Sequence, residues 1–361
     1  MILDEILTEA VKNGASDIHI QVGAHPRQRV NGELAPMIGF PILTLDMMKS
    51  FIDIIPGIRK NEFLASGDAD FAYAVQNVSR FRSNAYMQRN TPGFVFRPIP
   101  RLDFTVESMG LPQVIKNIAT YKRGLVLVTG VTGSGKSTTM AAILDLINQN
   151  ESASIITLED PIEFLHNTKK AMVGQREIGV DTPSFYEGLR RALRQDPDVI
   201  FIGEMRDLET VETALNAAET GHLVFSTLHT LDAVETINRT ISMFPPYQQQ
   251  QIRYQLSAVL QAVVSQRLIP KTGGRGRVPA VEVLINTAAI RDCIVDPERT
   301  VLIEDYIRQG VTVYQMQTFD QSIYSLCTSG LVDVEEAIKW VKRKDDFGLL
   351  LKGVSNNPSR W

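Results

Sequence analysis

Nine consecutive residues, Gly130-Val131-Thr132-Gly133-Ser134-Gly135-Lys136-Ser137-Thr138, have the types and spacing needed to hold a polyphosphate. Glycines at 130, 133 and 135 let the backbone turn its N–H groups inward around a β-phosphate, and Lys136 adds a mobile cation for the β and γ oxygens. The Ser137 hydroxyl is then the natural Mg2+ ligand, with Thr132, Ser134 and Thr138 lining the same loop. The context fits. An apolar strand, Leu125-Val126-Leu127-Val128, precedes the loop, and a helical stretch with Ala141, Ala142, Ile143, Leu144, Leu146 and Ile147 follows it. A mere glycine turn ahead of an exposed lysine would not require both flanks. The chemistry implied is binding of a nucleoside triphosphate at the positive end of a helix.

Hydrolysis further needs a group that orients water and a carboxylate near the γ-phosphate to complete a metal shell. Glu204 follows the apolar run Val199-Ile200-Phe201-Ile202, but Gly203 stands where a metal-binding aspartate is usual. Glu159, Asp160 and Glu163 follow Ile155-Ile156-Thr157-Leu158, at the carboxyl end of a strand, where open α/β sheets place ligands. Simpler roles are an ion pair with Arg206 for Glu204 and helix capping for the acidic cluster. His222 and His229 bracket the run Leu223–Thr227, and their odd separation puts them on opposite faces, against a shared metal. His229 falls at the carboxyl end, within reach of a γ-phosphate; His222 reads as structural.

These residues need two kinds of scaffold. The chain begins with a helical stripe, Ile2, Leu3, Ile6, Leu7, Ala10 and Val11, closed by Gly14. Strand-like runs follow at 17–21, 70–75, 79–86 and 94–97, predicting a small, largely antiparallel α+β domain. Pro98 and Pro100 break that rhythm, so a boundary is placed near residue 105, giving domains 1–105 and 106–361. Beyond it, apolar strands at 125–128, 155–158, 199–202 and 223–227 alternate with helices, as in a parallel α/β sheet covered on both faces. Asp333-Val334-Glu335-Glu336 reads as a helix N-cap with a carboxylate at its third helical position, and 355–359 as a frayed terminus.

The smaller domain holds clustered arginines. Arg80 and Arg82 lie two apart on one strand and point the same way, with Arg97 on a neighbouring strand. They are either an exposed basic face or guanidinium groups offered to a triphosphate by an adjacent subunit. A third set, Arg190, Arg191 and Arg194, lies on a helix starting at Ser184 with Glu187 as capping partner, and is either an interface or a solvated face.

Composition bounds the alternatives. The 361 residues carry 37 Lys and Arg against 41 Asp and Glu, a net charge of -4, so the chain as a whole has no attraction for nucleic acid or anionic lipid. Few aromatics (7%) also argue against a nucleic-acid motor, which wants stacking platforms. Two cysteines, Cys293 and Cys327, cannot build a disulfide framework or an all-Cys zinc site, and a reducing compartment is expected. The acidic start Met1-Ile2-Leu3-Asp4-Glu5 is unlike a signal peptide, and no apolar run approaches the roughly 18 residues of a membrane span. A cytoplasmic protein is expected, with membrane association through partners only.

The succession of the phosphate loop, Glu159-Asp160-Pro161-Ile162-Glu163, Leu193–Asp198, Gly203-Glu204-Met205-Arg206-Asp207, and Thr220-Gly221-His222 through Thr227-Leu228-His229-Thr230 resembles the secretion ATPase superfamily of bacterial pilus and secretion motors. There these segments are the Walker A, aspartate-box, atypical Walker B and histidine-box motifs, and a glycine at the position of Gly203 is usual. The resemblance covers essentially the full length. Ser16-Asp17-Ile18-His19, Arg80-Phe81-Arg82 and Met316–Gln321 extend it, and it is greatest to the type IV pilus retraction branch. It implies a PAS-like first domain, a RecA-like second domain and a homohexameric ring that hydrolyses ATP with Mg2+ to power pilus retraction and twitching motility. By the same resemblance Glu204 is the catalytic carboxylate, Glu163 a second acid near the metal, and Arg82 and Arg97 the residues acting in trans.

The expected partners are an inner-membrane pilus platform protein and a paralogous retraction ATPase, with the ring peripheral at the inner-membrane pilus machine. The absence of a long extra amino-terminal region and of a four-cysteine module favours the retraction branch as the expectation, with a pilus-assembly or type II secretion ATPase as an alternative. Ala289–Asp296 departs from the retraction pattern AIRNLIRE at half its positions, which keeps the accessory paralogue as an alternative. A docking ring that turns over little ATP is the alternative of a different class.

Overall fold

The computed structural model describes residues 2–100, 102–274 and 276–351, so the terminal stretch 355–359 lies outside the described residues. Contacts divide the chain into two units: Met1–Leu102 with Pro161–Leu165 and Glu177–Pro183, and the remainder from Asp103.

In the first unit the opening helix, Ile2–Lys12, buries Leu3, Ile6, Leu7 and Ala10 and keeps acids in its first turn and Lys12 in its last, as the helix dipole favours. The sheet comprises β1 (Asp17–Gln21), β2 (Arg27–Val30), β3 (Glu33–Pro36), β4 (Asp68–Val75), β5 (Ser79–Gln88) and β6 (Thr91–Pro98), in the order β3-β2-β1-β6-β5-β4 with antiparallel pairing. Its inner face packs Phe81, Phe94 and Phe96, with Phe51 edge-on to Phe94, onto the helices. This is the PAS-like domain. The sequence reading omitted β2 and β3, because an exposed edge ribbon such as Arg27-Gln28-Arg29 needs no apolar alternation. The two later segments are tied to this unit by side chains: Arg80 Nη2 lies 3.1 Å from Glu177 Oε2, which also accepts from the Ile162 amide at 3.4 Å.

The second unit is a seven-stranded sheet of β7 (Gly124–Thr129), β8 (Ser154–Glu159), β9 (Met172–Glu177), β10 (Val199–Ile202), β11 (Leu223–Leu228), β12 (Leu260–Pro270) and β13 (Arg277–Ile285), ordered β13-β12-β7-β11-β10-β8-β9. The central strands are buried along their whole length, which explains their unbroken apolar sequence. One face packs helix Lys136–Asn150 through Met140, Ile143 and Ile147, and the other packs helices Leu208–Glu219, Ala233–Ser242 and Pro246–Val259. It is a RecA-like core. The expectation of a parallel sheet holds for the four strands it named and needs correction at the edge: β12 is parallel to β7, but β13 runs antiparallel to β12. The short 271–276 connection between them cannot make the crossover that a parallel pair requires. A second correction concerns Asp333. It sits at the N-cap of helix Val334–Trp340 without capping it, because its carboxylate accepts from Thr272 Oγ1 at 3.0 Å instead.

Candidate active site

The phosphate loop leaves β7 as the sequence requires. Gly130, Gly133 and Gly135 have φ of 144, 77 and 92°, conformations costly for any residue with a side chain. At Gly130 space forbids one as well: a Cβ would lie 2.4 Å from the Gln266 carbonyl oxygen and 2.5 Å from Ser134 Oγ. Helix Lys136–Asn150 starts on Gly135 without a side-chain cap. Its first N–H groups are therefore left for a ligand. Among the described residues, the amides of Thr132, Gly133, Gly135 and Ser137 have no acceptor in the chain, and the buried Ser134 Oγ has no partner. Lys136 is itself buried and donates to the carbonyls of Gly130 at 2.8 Å and Val131 at 3.1 Å, folded back over the loop. Ser137 and Thr138 are half-buried on the first helical turn. Unmatched donors, an orphaned hydroxyl and a cation beside them form a cradle that fits a polyphosphate.

The acids come from the neighbouring strand ends. Gly130 N donates to Leu228 O at 3.3 Å, Thr227 Oγ1 to Gly203 O at 2.6 Å, and Gly203 N to Leu158 O at 2.7 Å, so the carboxyl ends of β7, β11, β10 and β8 are stitched in a row. Glu204 leaves that row largely buried. Its Oε1 lies 2.5 Å from Arg206 Nη2, the simple ion pair, and its Oε2 lies 3.6 Å from His229 Nε2. Glu159 is buried, accepting from Thr157 Oγ1 at 2.6 Å and Gln175 Nε2 at 3.1 Å. Asp160 is exposed, and no helix follows this cluster for it to cap. Glu163 is exposed and belongs to the first unit. At the far end of β11, His222 Nδ1 meets Ala217 O at 2.9 Å, a structural role. Packing at Gly203 is tight: a Cβ there would lie 3.2 Å from Leu158 O, closer than most such contacts, and in ordinary contact with the Glu159 Cα at 3.5 Å.

No group of three or more His, Cys, Asp or Glu among the described residues forms a metal cage.

In the first unit Arg82 and Arg97 face each other across β5 and β6. Like charges placed directly opposite destabilise a sheet. Asp17 offsets this on one side: its Oδ1 accepts from Arg97 Nε at 2.9 Å and Nη2 at 2.6 Å. Burial raises the Asp17 carboxyl, but hydrogen bonds from Arg97 and Ser16 outweigh it and hold the group below its ordinary value. Burial lowers the neighbouring His19, against the pull of Asp17. Arg82 is exposed, whereas Arg80 is committed to Glu177. Arg190 and Arg191 lie near Glu187 on their own helix. Sequence reasoning missed the supports Thr227, Gln175 and Gln266, whose partners are distant in the chain.

Comparison with known proteins agrees with this geometry. The chain is 45% identical over 348 residues to the type IV pilus retraction ATPase PilT of Pseudomonas aeruginosa, covering 96% of this chain and all of that protein. It is 38% identical to the type IV pilus ATPase PilU of the same organism, over 98% of this chain and 92% of that one. The crystal structure of the pilus retraction motor PilT with bound ADP superposes with a TM-score of 0.83 at 46% identity, over 95% of this chain and 98% of that one. Residues 1–339 match the model of the type II/IV secretion system protein family, and the chain belongs to that family.

Proposed function

We propose that the protein is a motor that hydrolyses ATP to power type IV pilus retraction. Near-complete coverage of PilT at 45% identity, together with a phosphate loop whose free amides, orphaned Ser134 hydroxyl and Lys136 form a polyphosphate cradle, carries this reading. The loop amides and the helix end bind the β-phosphate, and Lys136 exchanges its carbonyl partners for β and γ oxygens. Glu204, steadied by Arg206 and His229, orients the attacking water and receives its proton as the terminal phosphoryl group leaves. Mg2+, when bound, would be held by the Ser137 hydroxyl and would neutralise charge developing on the phosphate oxygens.

The subunits form a homohexamer in which Arg82 and Arg97 of one protomer complete the site of the next, coupling hydrolysis to assembly. The ring acts at the inner-membrane pilus machine on a platform protein, alongside a paralogous ATPase. Among the described residues no helix is long and apolar enough to cross a membrane. The lower identity to PilU makes the accessory role the weaker reading.

Phosphate release by the purified protein tests the proposal. Lys136→Ala should abolish turnover, and Glu204→Gln should bind ATP without hydrolysing it. Near-normal activity in either variant overturns it. Deleting the gene should leave cells with excess pili that do not retract.

A further inference from the structure

The edge hairpin β12–β13 joins two places on which the site depends. Ser265 of β12 accepts a hydrogen bond from Thr129 Oγ1 at 2.9 Å, one residue before the phosphate loop. Directly across from Ser265 on β13 is Glu282, fully buried, whose Oε1 accepts from the Ala233 amide at 2.9 Å. Ala233 is the first residue of helix Ala233–Ser242, and the segment before it runs back to His229. Inside that helix Thr236 pairs with Thr230 Oγ1 at 2.6 Å and donates to Asp232 O at 2.7 Å, so the residue that follows His229 is bonded to the first turn of the helix. A neutral side chain could accept the same bond. Burying a carboxylate there instead is costly, so its presence calls for a function.

On its other side Glu282 faces a cavity of about 40 Å³ shared with Asp232, Arg267, Glu304, Asp320 and Lys342, room for ordered water. The C-terminal helices converge here: Lys342 Nζ reaches Glu304 Oε2 at 2.5 Å, and its amide donates to Asp320 Oδ1 at 2.8 Å.

We propose that Glu282 is a positioning residue for hydrolysis, fixing the start of helix Ala233–Ser242, and through it His229 beside Glu204, from the side where the C-terminal helices meet. The inference rests on the ATPase reading above. Burial pushes the Glu282 carboxyl up to about 7, against the Ala233 amide and Arg267 and reinforced by Asp232 and Glu304. Asp320 and the Lys342–Glu304 pair are the other charges facing it. The ionised carboxylate holds the amide more firmly than the neutral acid, so positioning strengthens as pH rises through that value.

The test measures kcat, the KM for ATP, ADP affinity and melting temperature of the full-length wild type, Glu282→Gln and Glu282→Ala between about pH 6 and about pH 8.5. The alanine variant should lose about tenfold in kcat, as a sub-ångström misplacement would cause, with KM and ADP affinity unchanged. The isosteric glutamine variant should stay at the wild type's low-pH rate and lack the wild type's inflection near pH 7; it decides the matter if the alanine variant does not fold. Wild-type kcat and inflection in Glu282→Gln would overturn the inference, as would a loss of kcat matched by an equal loss of ADP affinity. Wild-type protein that binds ADP but never hydrolyses ATP would instead overturn the ATPase reading, and the inference with it.

Discussion

Gly203 occupies the position where phosphate-loop enzymes commonly carry a metal-binding aspartate, and Gly203→Ala tests why. An added Cβ would lie 3.2 Å from Leu158 O, 3.5 Å from Glu159 Cα and 3.6 Å from a ring carbon of Phe185. The nearest atom is a backbone carbonyl already bonded to the Gly203 amide, so no flexible side chain can yield. The ends of β10 and β8 must part by a few tenths of an ångström. Overpacking of this kind costs about 1–3 kcal/mol, and at about 2–4 °C per kcal/mol the melting temperature should fall by roughly 2–12 °C. The same displacement shifts the backbone that carries Glu204, and a fraction of an ångström there should lower kcat by about 3- to 10-fold. The KM for ATP should hold, because the phosphate loop rises from β7, with β11 between it and β10. Calorimetry and steady-state phosphate release measure both effects. Gly203→Asp should do worse still, since it adds bulk and sets a second carboxylate beside Glu159. An alanine variant with wild-type melting and kcat, or an aspartate variant with raised activity, would refute the steric argument.

Further outcomes follow from the same geometry. Arg82→Ala should slow hydrolysis by about 10²-fold or more while leaving the fold intact, since removing one of two opposed arginines relieves repulsion. Mixed with Lys136→Ala protein it should regain part of that activity through hybrid sites, and the absence of any recovery in verified mixed rings would rule out action in trans. His166 supplies an acid-side test. Burial lowers it to about 4, with Asp145 opposing and Lys169 assisting, and its Nδ1 is buried without a partner. A base depressed in the folded state contributes stability that is present above its unfolded value of 6.5 and is lost as pH falls towards 4. The loss amounts to about 3 kcal/mol, and His166→Gln should lack it. Urea unfolding across that window decides, and superimposable pH curves would show that water reaches the ring.

The phosphate loop was legible because its chemistry is contiguous: a cradle of backbone amides has to come from neighbouring residues, so its glycines and lysine stand at fixed spacing in any chain that has one. Glu159, Glu204 and His229 were legible as strand ends but not as an arrangement. Which acid turns inward depends on Thr157, Gln175, Thr227 and Arg206, and two of these bonds, from Gln175 and Thr227, span segments that spacing cannot relate. Glu163 shows the same difficulty from the other side, since four residues after Glu159 the chain has joined a different unit, for reasons visible only in the bonds of Glu177. β12 and β13 were missed because Gln261, Ser265, Gln266 and Arg267 interrupt the apolar run of β12, and Pro279 and Glu282 that of β13. The division has a mechanistic consequence. Residues readable from local spacing are those that grip phosphate, whereas those readable only from the fold set where the acid and histidine stand. Substitutions in the loop should therefore change nucleotide affinity, while substitutions at Gly203, Thr227 and Glu282 should change turnover at constant affinity.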